Sequence, residues 1–86
     1  MLILARDSLI PFVNEVTIAS ITTRIRNIPS EVFLGPADGM PQECAINLDR
    51  LQTVLKRSLG RPVTHLSASR MREVRSALLY SLGFDE

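Results

Sequence analysis

The order of patterns along the chain predicts a mainly β, α+β domain, with β-type runs first and one amphipathic helix last. Three observations carry this. Residues 15–23 alternate side chains between two faces with β-branched residues dominating, and residues 30–34 and 43–48 are short runs bounded by Pro, Gly and Asp. Residues 67–82 place apolar side chains at three- and four-residue steps between a serine and a glycine.

Eighty-six residues leave room for one domain, which at this size buries about 60–65% of its unfolded surface. The 45% apolar and 22% charged content is that of an ordinary globular chain, which excludes disorder, and 5% aromatic residues argue against an extensive base-stacking platform. A single cysteine, Cys44, excludes an internal disulfide and fits a reducing cytoplasm, and no Cys or His cluster has metal-ligand spacing. The opening MLILA is too short to span a membrane, lacks a basic segment before it and runs straight into Arg6 and Asp7. The net charge is only +1, yet Arg50, Lys56, Arg57, Arg61, Arg70, Arg72 and Arg75 crowd the second half. Such a run is either a solvated basic face or an attractor for a polyanion.

Met1–Ala5 has no polar residue and reads as a strand either buried on both faces or lying in the interior of a small sheet. Residues 6–14, RDSLIPFVN, read as a loop whose Leu9, Ile10, Phe12 and Val13 are tacked against the core, with stacking on a base as the alternative for Phe12. From Glu15, one face carries Val16, Ile18, Ser20 and Thr22 and the other Thr17, Ala19, Ile21 and Thr23. The strand turns polar at its end, where Thr22 and Thr23 meet Arg24 and Arg26. A basic connection then leads to a strand at Ser30–Leu34, stopped by Gly35-Pro36, and a turn-rich loop, ADGMPQ, precedes a strand at Glu43–Leu48. Residues 49–59 are ambiguous in period, and the preferred reading is a short strand at Gln52–Val54 followed by a basic turn. After Gly60-Arg61-Pro62, a last strand is expected at Val63–Leu66. The helix runs over Ser67–Leu82, with Ser67 as N-cap and Gly83 in the left-handed position beyond its end. Met71, Val74, Ala77, Leu78 and Leu82 form its apolar stripe, and Leu79 and Tyr80 widen it toward a partner or dimer surface.

His65 has no orienting carboxylate nearby in sequence, and Cys44 lies in a strand with nothing to lower its pKa, so both read as structural. There is no Gly-rich phosphate loop, nucleophile elbow or metal motif. What remains is Thr22, Thr23, Arg24 and Arg26 at one strand end and Asn47, Asp49 and Arg50 at another. Hydroxyls, guanidinium groups and a carboxylate suit a phosphodiester, and a carboxylate with a cation can serve transfer to a 2′-hydroxyl. The bland alternative is that paired threonines merely express β propensity.

The stretches LILARDS, IASITTRIRNIPSEVFL, ECAINLDRLQTVLKRSL and VTHLSASRMREVRSALLYSLG resemble, in order and spacing, the MazF/PemK family of toxin endoribonucleases. The resemblance implies a small SH3-like barrel of the CcdB/PemK type with a C-terminal helix. It also implies a homodimer, cofactor- and metal-free cleavage of single-stranded RNA at selected sequences, and a cognate antitoxin. Attack by the RNA's own 2′-hydroxyl would leave a 2′,3′-cyclic phosphate and a 5′-hydroxyl. Thr22 matches the threonine that contacts the scissile phosphate, and Asp49 matches a carboxylate assigned as general base in one branch. Two residues before it that branch has an arginine acid where this chain has Asn47, which cannot take that role. The catalytic residues expected are thus Thr22 and Asp49, and the RNA-binding residues Thr23, Arg24, Arg26, Asn47 and Arg50.

Family members begin with an RGEIW-type strand, a mobile loop and an Arg-Pro pair before the strand that LILARDS matches. Counted back from Thr22, residue 1 falls just after that pair. The expectation is a single domain over residues 1–86, N-terminally truncated relative to the family, with impaired cleavage and an exposed sheet edge. The other reading is a non-catalytic binding module, either gyrase-directed like the CcdB toxins or antitoxin-sequestering.

Overall fold

The computed structural model describes residues 1–84. Four antiparallel strands form one curled sheet: β1 (Leu2–Leu4), β2 (Glu15–Thr22), β3 (Glu31–Leu34) and β4 (Cys44–Leu55), in the order β1-β2-β4-β3. Among the described residues one α-helix, α1 (Ala68–Leu82), packs against β3 and β4. Short 3₁₀ turns at Ile10–Phe12, Pro36–Asp38 and Lys56–Ser58 join these elements. The mainly β, α+β architecture with a terminal helix is the one the sequence predicts.

Register assigns the two faces of the sheet. Ile21 pairs with Ile46, Val32 with Ile46 and Leu34 with Cys44, and paired residues of antiparallel strands point the same way. This face, with Ala19 and Leu48, forms the core against Val74 and Ala77 of α1. The opposite face carries Ser20, Thr22, Glu31 and Asn47, because Ser20 pairs with Asn47, Thr22 with Ala45 and Glu31 with Asn47. One sheet therefore separates an apolar layer from a polar one at the same strand ends.

The expected strands at Glu43–Leu48 and Gln52–Val54 are one strand, β4, interrupted by a bulge. Ser20 pairs with Asn47 and the preceding Ala19 with Leu51, so Leu48, Asp49 and Arg50 face a single step of β2. Leu48 is held from both sides: its N–H donates to the Ser30 carbonyl (2.9 Å) and its carbonyl accepts from Ser81 Oγ (2.9 Å). Asp49 and Arg50 are exposed on the bulge.

Three further expectations are corrected. Val63–Leu66 forms no strand: Val63 is 74% exposed, Pro62 lacks an N–H, and the segment is tied instead by Thr64 Oγ1 donating to the Asp38 carbonyl (3.1 Å). Strand β1 is not buried on both faces. It is an edge strand paired only to β2, with Leu2 and Leu4 against the core and Ile3 outward. In the loop that follows, Ile10 and Val13 are half-buried, but Leu9 is exposed and Phe12 is 85% exposed, so Phe12 anchors nothing in this chain.

Helix α1 begins and ends where its caps require. Ser67 Oγ accepts from the Arg70 N–H (3.2 Å), and Gly83 adopts φ 79° while its N–H donates to the Tyr80 carbonyl (3.1 Å). Of its apolar stripe, Val74 and Ala77 are buried and Leu78 half-buried, whereas Met71 and Leu82 extend past the small sheet and are exposed. The first turn of α1 is pinned to the turn before β4: Arg70 Nε donates to Asp38 Oδ1 (2.9 Å) and Nη2 to Asp38 Oδ2 (3.3 Å), while Nη1 donates to Glu73 Oε2 (2.9 Å). Among the described residues no helix is long and apolar enough to cross a membrane.

Gly39 ends the 3₁₀ turn at φ 85°, and a Cβ there would sit 2.5 Å from Thr64 Oγ1. Gly39→Ala must both adopt a left-handed backbone and displace Thr64. It should lower stability by about 1–3 kcal/mol, read as a drop in the denaturation midpoint; an unchanged midpoint would contradict this packing.

Candidate active site

The chain leaves β2 at Thr22 and returns to the sheet at Glu31. Between them, Asn27 takes φ 60°, a left-handed position that asparagine tolerates better than most residues. The reversal brings the N–H groups of Arg26 and Asn27 onto one acceptor, Glu31 Oε1, each at 2.9 Å. Arg26 Nε donates to the other oxygen, Glu31 Oε2, at 2.7 Å. The side chain of Glu31 is only 3% exposed.

The outer edge of the same guanidinium meets the bulge of β4. Arg26 Nη2 donates to Asp49 Oδ1 (2.8 Å) and to Asn47 Oδ1 (3.1 Å), and Nη1 donates to Asp49 Oδ2 (3.1 Å). Ser30 Oγ donates to Asp49 Oδ1 at 3.3 Å. A two-pronged Arg–carboxylate fork of this kind is among the stronger polar contacts. Arg26, Asn47 and Asp49, far apart in sequence, are thereby one cluster.

Charge follows geometry. The bonds from Arg26 hold the Asp49 carboxyl below its ordinary range. Burial alone would push Glu31 up, but the donors of Arg26 and the Asn27 N–H outweigh it and hold Glu31 low as well. Asp38 is lowered by Arg70 and by the Gly35 N–H. Carboxyls with depressed native values bind fewer protons folded than unfolded, so they stabilise the fold above the ordinary carboxylate range and cease to do so as pH falls through their native values. The melting temperature should therefore be level above about pH 5 and fall steadily between about pH 4 and 2. In Arg26→Gln that decline should be shallower, since Glu31 and Asp49 lose the partner that lowers them. A melting temperature independent of pH over this window would contradict the assignment.

Thr22 lies on the same polar face, half-buried, and its Oγ1 accepts from the Arg24 N–H (3.1 Å). The structure does not bring Thr22 into hydrogen bonding with Asp49. Thr23, Arg24 and Arg50 are exposed. Ser30 and Glu31 are members of the cluster that sequence reasoning missed; the signal available was an acidic residue five positions after Arg26, at the start of a strand. Cys44 is buried in the core and its thiol is pushed up by burial, which fits the structural reading. His65 is exposed and lies outside any strand. In the basic second half, Arg70 is consumed by Asp38 and Glu73, and Lys56 Nζ by the Ile10 carbonyl (2.9 Å), while Arg57, Arg61, Arg72 and Arg75 are exposed. Beside the cluster, a groove of about 690 Å³ runs between the 25–29 loop, β3 and α1, lined by Ile25, Ile28, Glu31, Phe33, Arg72 and Tyr80 among others.

A curled antiparallel sheet with one helix on its apolar face and a guanidinium–carboxylate cluster at the strand ends of its polar face defines a class of small mainly β domain. More narrowly, residues 1–82 match the family model described as "PemK-like, MazF-like toxin of type II toxin-antitoxin system", and the chain belongs to that family. It is 37% identical over 79 residues to the Mycobacterium tuberculosis protein named "Probable endoribonuclease MazF5", covering 91% of this chain and 72% of that one. The solved structure of Mycobacterium tuberculosis toxin MazF-mt6 superposes with a TM-score of 0.92 at 32% identity, covering 99% of this chain and 86% of the other. A mycobacterial endoribonuclease solved in complex with its cognate antitoxin gives a TM-score of 0.84 at 27% identity, over 94% of this chain and 77% of that one.

Proposed function

We propose that this chain is the toxin of a type II toxin–antitoxin pair and cuts single-stranded RNA without a metal ion, by attack of the RNA's own 2′-hydroxyl. One observation carries the reading: the family match spans residues 1–82 and so includes both Thr22 and Asp49. Two of the similar Mycobacterium tuberculosis proteins are named as a probable endoribonuclease and an endoribonuclease. The cluster geometry supports it, because hydroxyl, guanidinium and carboxylate groups share one sheet face and one pair of strand ends.

In this reaction the 2′-hydroxyl loses its proton to a base, its oxygen bonds to phosphorus, and the bond from phosphorus to the 5′ oxygen breaks, that oxygen taking up a proton. The products carry a 2′,3′-cyclic phosphate and a 5′-hydroxyl. Thr22 donates its hydroxyl hydrogen to a non-bridging phosphate oxygen, whose charge grows as the phosphorane forms. Asp49 is the base, and Arg26 offsets phosphate charge. Thr23, Arg24 and Arg50 bind the RNA backbone from the exposed rim, and Asn47, buried behind them, orients Arg26. A cognate antitoxin is one protein partner, as in the antitoxin complex of the mycobacterial relative; a second copy of the chain is the other, and the setting is the cytoplasm.

The test is incubation of the purified chain with a long single-stranded RNA in excess EDTA, beside DNA of the same sequence. Discrete RNA fragments with intact DNA are expected. Intact RNA, or cleavage abolished by EDTA, would refute the proposal and favour a non-catalytic binder.

A further inference from the structure

The guanidinium of Arg26 has two edges in different situations. The inner edge is fixed: Glu31 is a strand residue, almost wholly buried, and it grips both the side chain and the backbone of Arg26. The outer edge keeps one fixed contact, Nη2 to the buried Asn47 Oδ1, and its remaining partner is Asp49, itself held otherwise by Ser30 Oγ at 3.3 Å. Asp49 is 32% exposed and stands on the β4 bulge, where it can turn away without breaking a ladder hydrogen bond. The Arg26 side chain is 35% exposed.

A carboxylate and a phosphodiester present the same pair of oxygens to a guanidinium fork. We propose that Asp49 occupies, in the RNA-free protein, the seat on the outer edge of Arg26 that a substrate phosphodiester takes, and that RNA binding exchanges carboxylate for phosphate. The inference rests on the RNA-cleaving reading above and deepens it. Three features favour the exchange. Glu31 keeps the guanidinium in place while its outer partner changes. Asn47 Oδ1, held on the sheet, retains one Nη2 hydrogen bond throughout. Arg24 and Arg50, both exposed, add positive charge around the strand end once the Asp49 carboxylate has swung out. The exchange also gives Asp49 its chemistry. A carboxylate with both oxygens on an arginine is a weak base, and the incoming phosphate strips that arginine away just as a proton acceptor is required. Arg26 is on this account a phosphate-binding residue and at the same time the positioning residue that keeps Asp49 idle until substrate arrives.

The experiment is a binding cycle with a randomised single-stranded RNA carrying 2′-fluoro groups, which cannot be cut by this route, measured by fluorescence anisotropy at one fixed salt concentration. Asp49→Asn should bind about 3- to 10-fold tighter than wild type, since the internal competitor is weakened. In the Arg26→Gln background the same Asp49→Asn change should give no gain. If Arg26→Gln fails to fold, Arg26→Lys, which keeps the charge and loses the fork, should show a clearly reduced gain. An equal gain in both backgrounds would reveal mere removal of a negative charge and overturn the inference, as would unchanged or weaker binding by Asp49→Asn. The two readings fail differently. A wild-type chain that neither binds nor cuts RNA refutes the function, and one that cuts RNA but shows no coupling refutes the exchange alone.

Discussion

Thr22→Val should lower the rate of RNA cleavage by about 10²–10³-fold, the effect of removing one hydrogen-bond donor aimed at transition-state charge. Valine has nearly the shape of threonine and an equal or better preference for a strand. The half-buried position in β2, paired with Ala45, is therefore kept. What disappears is the hydroxyl: its hydrogen for the phosphate, and its oxygen as acceptor for the Arg24 N–H at 3.1 Å. Because that second bond also orients the start of the 23–29 loop, Thr22→Ser is the control. It retains donor and acceptor and should restore most of the activity. Initial rates on a single-stranded RNA, with melting curves for all three proteins, separate the cases. Valine and wild type cleaving at equal rates would remove Thr22 from the site.

Leu48→Ala should have the largest effect on stability, about 2–5 kcal/mol, which is a large part of the total for a domain of this size. Leu48 is fully buried and packs in the cluster that joins the sheet to Val74 and Ala77 of α1. It is also the first residue of the β4 bulge, with its N–H on Ser30 and its carbonyl on Ser81. Relaxation into the cavity is limited by these two bonds, so the loss should lie toward the upper end. Activity should fall before the global transition is reached, since Asp49 is the next residue on the bulge. Leu82→Ala, at an exposed position of the last helical turn, should change stability by less than about 0.5 kcal/mol. Denaturant midpoints for the two variants check the contrast; equal shifts would contradict the core described here.

Much of this architecture is legible in the sequence because it is written locally. The alternation over residues 15–22, the serine before residue 68 and the glycine after residue 82 each act within a few positions of themselves, and β2 and α1 fall where they indicate. The rest depends on partners far along the chain. At the bulge of Leu48–Arg50 the backbone of Leu48 bonds to Ser30, just before β3, and to Ser81 of α1, and nothing within residues 44–55 announces those partners. Val63–Leu66 has strand composition but no strand to pair with. Phe12 is apolar and yet outside. The site was legible as residue types at two strand ends but not as a connected object. Arg26 reads in sequence as a free cation for RNA, and its engagement with Glu31, Asn47 and Asp49 depends on the left-handed turn at Asn27. Glu31 is one residue of the short run 30–34, and only the folded loop makes it the anchor of the cluster.

Chemistry at the cut ends tests the central claim most directly. RNA digested by this chain in EDTA should yield 5′ fragments whose 3′ ends carry a 2′,3′-cyclic phosphate, lighter by one water than a linear phosphate in mass spectrometry, and 3′ fragments that begin with a 5′-hydroxyl. Fragments ending in a 3′-hydroxyl and beginning with a 5′-phosphate would show that water, and not the RNA's own hydroxyl, attacks phosphorus, and would contradict the roles given to Thr22, Arg26 and Asp49.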